Sequence, residues 1–224
     1  MRKYIAEYVG TFALVFVGCG AVIVSSFDNS GLNHLGVSAV FGLIVMVMIY
    51  SLGNVSGAHI NPAVSLGFFF AGRSKLNKTL FYIIAQIIGA ISAALLLRFL
   101  FPENHSLGIT TPSGTVLQSF ILEIVLSFFL MFVILNVSTG HMEKGIMAGI
   151  AIGGTVALEA LFGGPVSGAS MNPARSIGPA LVSGQMQYLW IYLSAPVIGM
   201  LLAHPVAKII QADEYILEKH GRNK

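Results

Sequence analysis

Residues 29–72 and 176–207 contain no Asp, Glu, Lys or Arg. A water-soluble domain carries about a quarter of its residues charged and has nowhere to hide uncharged runs of that length. Here 9% of residues are charged and 55% hydrophobic. A helix crossing a bilayer needs roughly 20 apolar residues, and these runs supply them. The chain is therefore read as a membrane protein.

The net charge of +3 does not indicate a nucleic-acid partner, because the basic residues lie in short clusters between apolar runs. No cofactor and no metal are expected. Cys19 is the only cysteine, and the six histidines show no ligand spacing. No set of nucleophile and base suggests an enzyme. The basic start Met1-Arg2-Lys3 resembles a signal peptide, but the apolar run from Tyr8 to Phe27 is too long for one, so it reads as a retained first span.

The expected spans are 4–25, 34–53, 79–101, 117–138, 145–162 and 187–210. Two shorter apolar pieces, 61–71 and 172–183, interrupt the series. As helices they reach about half of a ~30 Å hydrocarbon core. Each opens on Asn-Pro, at Asn61-Pro62 and Asn172-Pro173. Asn is a good N-cap and Pro suits the first helical position, so each reads as a helix start. The preceding residues, Ser56-Gly57-Ala58-His59-Ile60 and Ser167-Gly168-Ala169-Ser170-Met171, suit irregular backbone. At membrane depth such backbone survives only inside protein or along a water-filled cavity. The fold class expected is all-α: six transmembrane helices plus two re-entrant half-helices.

If the half-helices re-enter without crossing, both termini share one side. Arg2, Lys3, Arg73, Lys75, Lys78, Lys144, Lys208, Lys219, Arg222 and Lys224 then fall together, ten of the twelve basic residues. The positive-inside rule makes that side cytoplasmic, in a multi-pass cell-membrane protein. Arg98 lies near the other end of the third span, and Arg175 within the second half-helix.

The halves repeat each other. SGAHINPAVSLG at 56–67 and SGASMNPARSIG at 167–178 share eight of twelve residues at an offset of 111. Residues 6–18 echo 122–134, and 87–90 echo 197–200. With three spans per half, the second copy enters from the opposite side, an inverted repeat. A single channel domain over 1–224 is expected, with halves of about 1–110 and 111–210 and a short tail 211–224.

The paired boxes Asn61-Pro62-Ala63 and Asn172-Pro173-Ala174, the following Arg175, and an acid early in spans one and four resemble the aquaporin and aquaglyceroporin (major intrinsic protein) family. The likeness covers essentially the whole chain. Residues 46–67, 117–123 and 163–180 are most similar to the nodulin-26-like branch. Plant members have longer termini, so the chain looks like a prokaryotic relative of that branch.

The resemblance implies a passive channel in a homotetramer with one pore per subunit, passing water and small neutral solutes through the bilayer. Asn61 and Asn172 would meet at the pore centre and present amide donors. The positive ends of the two half-helices and Arg175 would repel cations and discourage proton relay. The backbone of Gly57, Ala58, His59, Ile60, Gly168, Ser170 and Met171 would line the pore. Phe41, Ala160, Ala169 and Arg175 take the positions of the selectivity filter. Water-selective relatives have His where Ala160 stands, so two alanines imply a wider gate, suited to glycerol and, by branch, to boric and arsenous acids. Phe41 points the other way: Phe there is common in water-selective relatives, and the glycerol-permeable branch usually has Trp. Ser176 also departs from glycerol facilitators, which tend to have Asp.

Glu7 and Glu123 occupy matching repeat positions, where the family's acids accept hydrogen bonds from the box-bearing loops. Glu159 has no repeat partner; it is either functional or a brace for residues 163–168. His59 beside the first box is either a fixed hydrogen-bonding residue or a pH gate. Cys19 reads as a small buried side chain. A water-selective aquaporin remains a rival, as does a proton-coupled transporter relaying through Glu7, Glu123 or Glu159. A scaffold with an incidental pore has little loop surface to support it.

Overall fold

The computed structural model describes residues 1–138 and 147–211. Lys144, Lys219, Arg222, Lys224, His141, His220, the first residues of the expected fifth span and nearly all of the 211–224 tail lie outside these. Uncharged runs become helices because a helix satisfies its backbone internally, the requirement that lipid imposes. Among the described residues six helices are long and apolar enough to cross a membrane: α1 (Arg2–Ser25), α2 (His34–Ser56), α4 (Leu76–Leu100), α5 (Val116–Val137), α6 (Ala148–Ser167) and α8 (Leu189–Ile210). Two short ones, α3 (Pro62–Phe70) and α7 (Pro173–Ser183), interrupt them. The protein is an all-helical, multi-pass membrane protein.

Both half-helices begin as the sequence suggests. Asn61 and Asn172 are N-caps in extended conformation, each followed by Pro in the first turn. Spans two and five run farther than expected, to Ser56 and Ser167, and stop at left-handed Gly57 and Gly168. The fifth, expected to end at 162, passes through Pro165. Residue 165 would donate to the Leu161 carbonyl in a regular helix; His34 Nε2 donates to it instead, at 2.8 Å.

The halves pack alike. α1 lies on α4 and α2, and α5 lies on α8 and α6. Gly89 and Gly199 admit these close crossings, since a Cβ there would collide with the backbone carbonyl of Tyr8 or Ile124. At the α2–α6 crossing, Gly42 and Gly153 face each other across the repeat, and a Cβ on either would stand 2.5 or 2.6 Å from the other's carbonyl oxygen. The half-helices interleave the two halves: α3 packs on α8 as well as α4, and α7 on α4 as well as α8. Outward faces are apolar, with Phe99, Phe162 and Leu158 at least 69% exposed, as a lipid-facing surface requires.

Candidate functional site

The two loops before the boxes are held by buried acids. Glu7 accepts from the backbone N–H of His59 (3.0 Å) and Ile60 (2.7 Å). Glu123 accepts from those of Ser170 and Met171, both at 2.8 Å. These donors are buried, and leaving one unpaired costs about 1–3 kcal/mol. The carboxylates also hold strained backbone: Ala58, Ile60, Ala169 and Met171 are non-glycine residues with φ between 39 and 52°.

Bracing extends beyond the acids. Tyr82 donates to the Ser56 carbonyl at 2.7 Å, and Tyr192 to the Ser167 carbonyl at 2.6 Å. The Ser56 and Ser167 hydroxyls accept from the N–H of Ala58 and Ala169. Gln86 supports Glu7, and Ser167 supports Glu123. The tyrosines and Gln86 are absent from the sequence reading. Extending the repeat outward from 87–90 and 197–200 would have found both tyrosines, which sit at corresponding places.

The half-helix tips meet through their caps. Asn61 Oδ1 accepts from Ala63 and Val64, and Asn172 Oδ1 from Ala174 and Arg175. Asn61 Nδ2 donates across to the Met171 carbonyl at 2.8 Å, and Asn172 Nδ2 to the Ile60 carbonyl at 2.9 Å. Each amide has two N–H groups, so each retains one beyond this cross-brace.

A cavity of about 850 Å³ runs past this junction. Its wall includes Asn61, Asn172, Phe41, Ala160, Ala169, Arg175, Gly57, Ala58, His59, Ile60, Ser170 and Met171. Gly168, expected on the pore wall, is not among the residues lining it. It ends α6 at φ +82°, and a Cβ there would meet Thr110 at 3.2 Å. The wall also includes Tyr50, Asn54, Ser138 and Ala148. Much of the wall between is apolar, with Leu14, Val45, Ile49, Val64 and Ile134.

Arg175 is 4% exposed. Its Nη1 donates to the Gly108 carbonyl at 2.7 Å and to Cys19 Sγ at 3.3 Å. Its Nε is buried with no hydrogen-bond partner among the described residues, and its Cζ lies 5.1 Å from the Phe41 ring centroid. The Phe41 ring rests on bare backbone at Gly18, where any Cβ would collide with it. Nothing local in the sequence marks Gly108 or Gly18 as supports of this end. Cys19 is fully buried, and it also contributes a sulfur acceptor to the arginine.

His59 Nδ1 lies 3.1 Å from Ser65 Oγ, and its ring is flanked by Phe68 at 4.7 Å and Tyr82 at 5.0 Å. Glu159 is buried with neither oxygen hydrogen-bonded among the described residues, and it is not among the residues lining the cavity. It therefore braces no loop. Residues 163–168 are held instead by Ser113 and Ser119, which donate to the Val166 carbonyl, by Tyr192, which donates to that of Ser167, and by Glu123, which accepts from the Ser167 hydroxyl.

Six spans, two half-helices joined tip to tip and a cavity threading the junction define a membrane channel and not an enzyme. Residues 1–206 match the family described as "Major intrinsic protein". The chain belongs to that family. It is similar to "Aquaporin NIP1-1" of Zea mays, 48% identical over 200 residues, covering 89% of this chain and 71% of the relative. It is 44% identical to "Nodulin-26" of Glycine max over 212 residues, covering 94% and 78%. Among solved structures, the aquaglyceroporin from Plasmodium falciparum superposes with a TM-score of 0.81 at 27% identity, covering 93% of this chain and 96% of that one.

Proposed function

We propose that the chain is a passive channel for water and small uncharged solutes, glycerol among them, which excludes ions and protons. The observation that carries this reading is the junction of the half-helix tips. The positive ends of α3 and α7 face each other there, and each Asn keeps an amide N–H beyond the cross-brace. A water accepting from both has its lone pairs engaged and is a poor proton relay. Arg175 adds a fixed charge at one end, on the cavity wall beside Phe41.

Phe41, Ala160, Ala169 and Arg175 form the selectivity filter in this reading. The two alanines leave room beside the guanidinium for a solute larger than water; boric and arsenous acids are further candidates. Asn61 and Asn172 act at the pore centre, the 57–60 and 169–171 backbone lines the path, and Glu7 and Glu123 are structural. The aquaglyceroporin and nodulin-26-like relatives support the solute class. The whole chain forms one channel domain, with both termini cytoplasmic, in the cell membrane, as a homotetramer with one pore per subunit.

A water-selective pore is the competing reading, favoured by the Phe41 ring lying over Arg175. Stopped-flow light scattering on proteoliposomes separates the two. Vesicles shrunk by an impermeant osmolyte report water flux, and re-swelling in glycerol reports solute entry, with boric acid and arsenite uptake alongside. Fast water flux without glycerol entry would sink the wider-gate reading. Solute uptake abolished by an uncoupler would replace the channel with a proton-coupled transporter.

A further inference from the structure

Two helices supply walls of the proposed filter, hereafter the constriction, α2 through Phe41 and α6 through Ala160. Toward the half-helix junction they are fastened where Gly42 fits against Gly153 and Ala157. Beyond the constriction the link is of another kind. Pro165 lies inside α6, and residue 165 is the one whose N–H would close onto the Leu161 carbonyl. Proline has no N–H, and its ring crowds that same carbonyl.

The oxygen so released is taken by His34 at the start of α2, with Nε2 at 2.8 Å. A carbonyl only accepts, so His34 carries a proton on Nε2. Gly164 makes the room, since a Cβ there would stand 2.8 Å from His34 Cε1. The base of the donor is itself fixed. Asn33 caps α2 by accepting from Gly36, and Ser38 donates to the His34 carbonyl. Phe41 is two turns along α2 from His34, and Ala160 directly precedes Leu161. The constriction therefore sits between a glycine crossing on one side and the His34–Leu161 bond on the other.

We infer that His34 is a positioning residue that determines specificity: by donating to the carbonyl that Pro165 frees, it sets the separation of the Phe41 and Ala160 walls. It touches no solute. The inference rests on the proposed filter and adds a residue that the boxes and the repeat do not mark, because position 34 has no tie to either box.

The test is the ratio of glycerol to water permeability in proteoliposomes, per folded protein, for wild type, H34A, H34Q, P165A and H34A/P165A. Loss of the strut lets α6 relax away from α2, so H34A should raise the ratio about threefold, the order of effect that one net hydrogen bond supports. H34Q, whose amide N–H reaches as far as Nε2, should keep the wild-type ratio. Pro165→Ala returns an N–H to the Leu161 carbonyl, so H34A should be silent in that background. An unchanged ratio in H34A, or the same change with and without Pro165, overturns the inference. If H34A is not recovered folded, H34Q and H34N decide, since Asn stops short of Leu161; equal ratios overturn it. Wild-type vesicles lacking facilitated water flux would instead sink the channel reading itself.

Discussion

The loops at 56–67 and 167–178 are one scaffold carrying different side chains. In both, a buried acid accepts two consecutive backbone N–H groups, a tyrosine holds the preceding serine carbonyl, and a left-handed glycine ends the span. Yet position 64 is Val and its counterpart is Arg175, and His59 faces Ser65 where Ser170 faces Ser176. The acids and tyrosines grip backbone, so the side chains they position are free to diverge. A symmetric frame thereby gives a pore with chemically unlike walls at equivalent positions, apolar at Val64 and cationic at Arg175.

The strongest attack on that equivalence is to remove the grips. Glu7→Ala and Glu123→Ala each orphan two buried N–H groups, which should cost about 2–6 kcal/mol. Loss of folded protein by fluorescence-detected size exclusion is expected for both; one tolerated substitution would show that the loops are not equally braced. Next comes exchange of the divergent residue. Arg175→Val gives the second loop the side chain of the first and should raise cation or proton leak about tenfold, the consequence of a barrier lowered by roughly 1.4 kcal/mol. Folded yield should hold, because Asn172 still caps α7.

A smaller change sharpens the difference between the ends. Ala160→His should cut glycerol flux about fivefold while altering water flux less than about twofold, as a group added to a tight pocket discriminates by size. Equal losses would count against Ala160 as a filter position. Smallest is the pair Tyr82→Phe and Tyr192→Phe, each removing one hydrogen bond worth about 1 kcal/mol. Matched falls in thermal midpoint would support equal bracing, and a clear mismatch would break it.

Much of this frame is legible in the sequence because membrane depth and helix starts are local or compositional demands. Uncharged length marks His34–Ser56, and Asn-Pro marks where Pro62 and Pro173 begin their helices. The long reach of α6 through Pro165 was not legible, since the repair of that proline comes from His34, 127 residues away in sequence. Gly168 was expected on the pore wall by analogy with Gly57, but loop 101–115 packs Thr110 against it, and that loop carries no repeat signal.

For the paired Asn boxes, the sequence alone determined the caps, the half-length helices and the inverted arrangement, because each follows from local backbone chemistry and from the repeat. Only the tertiary structure decided that each Asn amide reaches the other loop's carbonyl, that Arg175 is anchored on Gly108 and Cys19, and that Phe41 lies on Gly18. Those partners are distant in the chain, and helix packing selects them. No residue type or spacing encodes which carbonyl an arginine will meet.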